Sequence, residues 1–366
     1  MLVAVVVVVV LVVVFLLWRS RARHPDEPQR PAPAAPAART LPVDRAVAST
    51  AAPATAAVMA AEPTSWMDDG QLVRHESLSD AQRAPLLRDL QQLPRPPRAL
   101  QQLVSPEFLA RASSNELADL VMTEPVVAAR VLAAVNAPAY GLHRAVSSVG
   151  QAITFLGLNS VRNLCLQHLL REGITTTDRV LQQEFDVLWR ASAIASELCL
   201  TLAKRLELPD AAGMSTQLVL HFIGRLGAAS MLRAQPGAAS AAPMPTATQE
   251  RALAEQQRLG LSSGELGALL LQDWNLPPAV VAGTRDIARV PFLLPPAPES
   301  AGRAVLCALC ASLAERLARR ELTAVQDYAF ERDTHPDRQW LRPLLAAPLQ
   351  QSIGEALRDP DLARVL

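Results

Sequence analysis

Between residues 116 and 169 the apolar positions return every three or four residues in three runs, the spacing of one helix face. Ser113-Ser114-Asn115-Glu116 predicts the start of the first helix as a capping box, with the Ser113 and Glu116 side chains satisfying each other's orphan amides. Thr123-Glu124-Pro125 stops that helix and starts the next, because proline is tolerated only in a first turn. Val127, Val131, Leu132 and Val135 form the second apolar stripe, and Asn136-Ala137-Pro138-Ala139-Tyr140-Gly141 breaks it. Ser148 with Gln151 caps the third helix, whose buried face is Ile153, Leu156, Val161, Leu164 and Leu169, interrupted at Gly157-Leu158-Asn159.

The same period predicts further helices over 78–93, 184–206, 211–232, 249–272 (with a break at 260–263) and 305–319. Residues 235–248 and 291–300 have loop composition, the first reading as an insertion into the body. The tail carries Pro336, Pro343, Pro348 and Pro360 and predicts short helices. Residues 24–64 are rich in Ala, Pro and Arg without hydrophobic period, which predicts a disordered spacer; a proline-recognition ligand or a lipid-touching segment is the alternative. Trp66-Met67 and Leu72-Val73 are candidates for docking where the spacer meets the body. The division expected is an anchor over 1–18, a linker over 19–77, a helical domain over 78–320 and a helical extension over 321–366.

The anchor rests on residues 2–18, which hold no polar or charged side chain. A helix of that length rises about 25 Å, within the lower limit for a hydrocarbon core of about 30 Å. Trp18 and the following Arg19, Arg21 and Arg23 place the N-terminus outside and the remainder in the cytoplasm. A cleaved signal peptide would carry basic residues before the apolar run and a small-residue cleavage site after it, and neither is present. A valine-rich run, apolar on every face, is also a poor soluble core helix.

Composition adds three constraints. Leu and Ala are abundant, only two tyrosines occur and runs of β-branched residues are nearly confined to the anchor, so the fold class expected is all-α. Lys plus Arg and Asp plus Glu are 35 each, so no whole-chain field favours nucleic acid, which is not expected as a partner. Four scattered cysteines fit a reducing compartment. Cys307 and Cys310 form a C-x-x-C inside an apolar helical stripe and read as core rather than as a zinc or redox pair. The run Arg316-Leu317-Ala318-Arg319-Arg320 reads as a solvated helix face.

The segment EPVVAARVLAAVNAPAYGLHRAVSSVGQAITFLGLNSVRNL resembles the signature of HDOD domains, the non-catalytic relatives of HD-type metal phosphohydrolases. Leu93-Pro94-Arg95-Pro96-Pro97 looks like the family's opening motif, and Glu265-Leu266-Gly267 through Trp274-Asn275-Leu276-Pro277 like its late helix. An active HD site needs His and Asp side chains converging on metal to make a nucleophilic hydroxide. The resemblance places the His-Asp pair in LVLHFIGRLG, where His221 is a vestige and Phe222 stands in place of the carboxylate. It also puts Ala191 and Ser263 where histidines would be expected, and leaves Thr284-Arg285-Asp286 without the closing histidines. No metal, cofactor or catalytic residue is therefore expected.

The remaining candidate is the turn at residues 136–141 with its surroundings. Asn136 and Tyr140 read first as residues that lock neighbouring helices through side-chain hydrogen bonds. Alternatively Arg130, Asn136, Tyr140, Gly141 and Arg144 form a recognition surface. The expectation overall is a regulatory or scaffold protein tethered to a bacterial inner membrane and acting through contacts with a cytoplasmic signalling protein. The rivals are a sensor that binds a nucleotide second messenger without cleaving it, and an active phosphohydrolase with a rearranged site.

Overall fold

The computed structural model describes residues 72–91, 93, 98–140, 142, 144–238, 242–292, 301–359 and 362. The expected anchor over 1–18, the spacer to residue 71, and Gly141 lie outside the described residues. Among the described residues all repetitive structure is helical, and no helix is long and apolar enough to cross a membrane.

Fifteen α-helices follow in order among the described residues: α1 Asp80–Leu90, α2 Arg98–Leu103, α3 Pro106–Arg111, α4 Ser114–Met122, α5 Pro125–Val135, α6 Val149–Leu156, α7 Leu158–Gly173, α8 Arg179–Arg205, α9 Ala211–Ala234, α10 Thr248–Leu259, α11 Ser263–Asp273, α12 Pro278–Arg289, α13 Ala301–Ala318, α14 Arg338–Leu344 and α15 Ala347–Leu357. The capping box at Ser113 and Glu116 opens α4, with the Ser113 N–H donating to Glu116 Oε2 at 2.7 Å. Ser148 Oγ likewise accepts from the Gln151 N–H at the start of α6. Gly157 separates α6 from α7 at φ +86°, a conformation that favours glycine. Gly260 closes α10 in the same region at φ +87°.

The long α8 is the central strut. It packs along α9 on one side and α13 on another, burying Phe185, Leu188, Ala195, Leu198, Cys199 and Leu202. Helix α9 then packs on α11 and α12, and the smaller layer α4–α6 leans on α7. One apolar core runs through all of it, from Leu90 to Leu362.

Two expectations need adjustment. The central helix starts at Arg179 rather than at 184, because Asp178 Oδ1 caps it by accepting from the Val180 and Leu181 N–H groups. The linker boundary at 77 falls inside a segment that lies against the body, where Leu72 and Val73 dock as their apolar character suggests, Leu72 packing beside Phe292 and Val73 N–H donating to Gln256 Oε1 at 2.6 Å. The C-terminal extension contributes Trp340, Leu341, Ile353 and Leu357 to the common core, so its apolar residues are spent inward.

Candidate functional site

His221 sits in the middle of α9, half-buried, with its Nδ1 sealed from solvent and unpartnered. Its ring meets Phe222 edge-on at 5.5 Å between centroids. Burial, followed by the charges of Arg225 and Arg251, lowers its pKa to about 4, while Glu315 and the Thr284 backbone act in the opposite sense. The space beside it is a void of about 20 Å³ walled by Phe222, Ile287, Ser312 and Trp340, room for no more than about one water. As a donor set for a catalytic metal the arrangement does not fit: the one carboxylate at the void, Glu315, is already held by arginines. Ala191 is fully buried, Ser263 donates its N–H to Glu255 at 2.7 Å, and Thr284 returns its hydroxyl to the Val280 carbonyl.

Cations occupy this part of the core instead. Arg225 forks onto Glu315, Nη1 donating to Oε2 at 2.7 Å and Nη2 to Oε1 at 3.0 Å. Arg319 Nε donates to the same carboxylate at 2.9 Å, and Arg251 Nη2 lies 3.4 Å from it. Arg319 also reaches Glu184 on α8, and Arg225 Nε lies 3.7 Å from Glu255 on α10. Burial alone would raise the Glu315 pKa, but Arg225 and Arg251 hold it well below the ordinary carboxylate range. The network ties α8, α9, α10 and α13 together. It also corrects the expectation for residues 316–320: Arg316 pairs with Asp333 and Arg319 with Glu184 and Glu315, so both turn inward.

A second polar cluster joins residues 72–77 to the body. Glu265 is 1% exposed and accepts from the His75 N–H at 2.9 Å and from its ring Nδ1 at 2.6 Å. Arg289 donates to Glu265 at 2.6 and 2.9 Å and to Glu76 at 2.6 Å. His75, Glu76 and Glu265 converge closely enough to hold a cation. The two carboxylates already hold a cation, the Arg289 guanidinium. Burial raises the Glu265 pKa, but hydrogen bonds from His75 and Arg289 outweigh it and bring it to about 2. A carboxylate lowered in the folded state stabilises above its unfolded pKa, and the gain is lost as pH falls toward the folded one. Wild-type protein is therefore expected to exceed Glu265→Gln in stability by roughly 2–3 kcal/mol at neutral pH, a margin that shrinks between about pH 4.5 and 2. Denaturant titrations across that range measure it; a pH-independent gap would count against this account.

The residues around the turn after α5 divide by role. Asn136 commits its side chain to backbone: Nδ2 donates to the Leu132 and Val146 carbonyls at 2.8 and 2.9 Å, and Oδ1 accepts from the Val146 N–H at 2.8 Å. Tyr140 meets α6 through its ring, edge-on to Phe155 at 5.8 Å, where a hydrogen bond was expected. Arg130 and Arg144 are exposed. Arg130 lines a groove of about 730 Å³ between α7 and α8, Tyr140 and Phe155 line one of about 360 Å³, and the two share Leu164, Gln167 and Ala193. Met122, Val126 and Phe155, all on the α4–α6 layer, are 63, 60 and 48% exposed. Sequence reasoning passed over these three because each sits beside the apolar stripe of its helix. The four cysteines are buried, with Cys199 and Cys307 sulfurs 3.8 Å apart across α8 and α13.

Helices packed this way, with a half-buried histidine in the middle of α9, define a class. A profile of the HDOD domain matches residues 93–289, more than half of the sequence, and the chain belongs to the HDOD family. Glu315, Asp337 and Trp340, which surround the His221 position or bond to its neighbours, lie beyond that match. The fold is similar to that of a Shewanella amazonensis SB2B protein provisionally named a phosphohydrolase, at 22% identity and a TM-score of 0.51, over 77% of this chain and 96% of that one. It is also similar to an HDOD domain protein of unknown function from Geobacter sulfurreducens, at 18% identity and 0.51, over 76% and 97%. A provisionally named signal transduction protein from Marinobacter aquaeolei VT8 aligns at 19% and 0.50, over 84% and 67%. No curated protein matches the chain.

Proposed function

We propose that this HDOD protein is a non-catalytic signalling module, tethered to the membrane by residues 2–18, that works by protein contact through the layer α4–α6. The observation that carries it is the exposure of Met122, Val126 and Phe155 on that layer, where Phe155 and Tyr140 line one groove and Arg130 lines a second that shares three residues with it. Exposed apolar side chains rimmed by charge mark protein contact surfaces. The name of the Marinobacter neighbour, signal transduction protein, agrees with this role. Against catalysis stands the donor set at His221, where arginines and Phe222 take the place that metal and carboxylate would need.

The test is photocrosslinking in cells from a reactive side chain placed at Arg130 or Phe155 of the full chain. One reproducible protein partner, lost on Arg144→Glu, is expected; labelling no different from background would overturn the contact surface. Purified full-length protein should carry far less than one equivalent of Fe, Mn or Zn, and a stoichiometric metal would restore the hydrolase reading. The tether predicts carbonate-resistant sedimentation with membranes, abolished by deleting residues 2–18. A full chain found in the soluble fraction would remove membrane tethering from the proposal.

A further inference from the structure

A cavity of about 460 Å³ shares Arg251 with the void beside His221 and no other lining residue. Its size falls in the range of small-molecule sites, about 300–1,000 Å³. It lies where the start of α8 and the C-terminal half of α9 meet α10, and residues 242–246 of the expected insertion line it as well. Five of its lining residues are arginines: Arg225, Arg233, Arg251, Arg258 and Arg319.

Four carboxylates lie within ion-pair distance of this set. Asp178 meets Arg233 at 2.7 Å, Glu184 takes Arg319, Glu255 lies 3.7 Å from Arg225, and Glu315 serves Arg225, Arg251 and Arg319. A guanidinium has more N–H donors than one carboxylate can accept, so three arginines on Glu315 keep donors in reserve. The fifth cation, Arg258, lies 3.5 Å from the sulfur of Met244, a weak acceptor, with no carboxylate in ion-pair reach among the described residues. The lining also includes apolar side chains, among them Leu232, Pro243 and Val180, the last 60% exposed. A cavity lined by five guanidiniums, one of them without a carboxylate, together with apolar side chains suits a ligand with a multi-oxygen dianion at one end and a flat or aliphatic body at the other.

We propose that this cavity binds a small organic phosphate of nucleoside-monophosphate size, with Arg258 as the cation that the phosphate completes. This goes beyond the protein-contact function and does not depend on it, since the cavity shares no residue with the α4–α6 layer or its grooves.

The experiment is calorimetric titration of the full chain, in mild detergent, with the four ribonucleoside 5′-monophosphates, the corresponding nucleosides and inorganic phosphate. Saturable binding of at least one monophosphate is expected, weakened about tenfold by Arg258→Gln through loss of a charge-assisted hydrogen bond. Val180→Glu, at an exposed position clear of the buried network, should weaken it comparably by placing a carboxylate at the rim. That variant keeps the test valid should Arg258→Gln misfold. No binding by any monophosphate overturns the proposal. Equal binding of nucleosides removes the anion from it, equal binding of inorganic phosphate removes the organic body, and unchanged affinity in a folded Val180→Glu protein places the ligand elsewhere. Crosslinking from Arg130 should be unaffected by either substitution, which separates failure here from failure of the contact surface.

Discussion

Replacing Glu315 by glutamine is expected to destabilise the protein by about 3–5 kcal/mol, the usual cost of removing one partner from a buried ion pair. The side chain keeps its shape but loses the charge that Arg225, Arg251 and Arg319 share. Arg225 and Arg251 are 7 and 6% exposed, so neither can turn to solvent without breaking the packing between α9 and α10. Denaturant unfolding followed by tryptophan fluorescence reads this directly, because Trp189, Trp274 and Trp340 are all buried. A loss below about 1 kcal/mol in Glu315→Gln would mean that the arginines are satisfied by water and that the network is an incidental feature of the core.

That network marks the limit of what the amino-acid order makes legible. The capping box at Ser113 and the proline start of α5 were readable because both partners of each device lie within one turn. The ion pairs have no such local signature: Arg225 and Glu315 are 90 residues apart, and Arg319 and Glu184 are 135 apart. The run at 316–320 looks like a solvated face for that reason, because nothing nearby in sequence announces Asp333 or Glu184 as partners. One signal was available. Arg225 interrupts the stretch Phe222 to Ala229, which has no other polar side chain, and a charge in such a place needs a buried partner or an anion. Asp178 was missed for the opposite reason. The residues it caps lack apolar period, since Val180 faces solvent, so pattern alone starts α8 a turn late.

Gly224→Ala is expected to cost more than about 3 kcal/mol, against the propensity gain of about 1 kcal/mol that alanine brings to a helix interior. At residue 224 helix α9 crosses α11 at Gly267, and the two backbones approach where neither has a side chain. A Cβ there would clash with the Ser263 carbonyl oxygen and sit 2.9 Å from the Gly267 Cα. Both obstacles are backbone, so no rotamer change relieves them. Either α11 moves away from α9, opening the core between them, or the chain does not reach its native packing. Gly150→Ala is the control: a Cβ at that helical position meets nothing within 4 Å, and the substitution should stabilise by roughly 0.5–1 kcal/mol. Unfolding of both variants by denaturant decides the matter. If Gly224→Ala were as stable as Gly150→Ala, the α9–α11 crossing would have slack that its geometry denies. Because α11 also carries Glu265, the same variant should loosen the hold on residues 72–77, detectable as faster proteolysis N-terminal to α1 under native conditions.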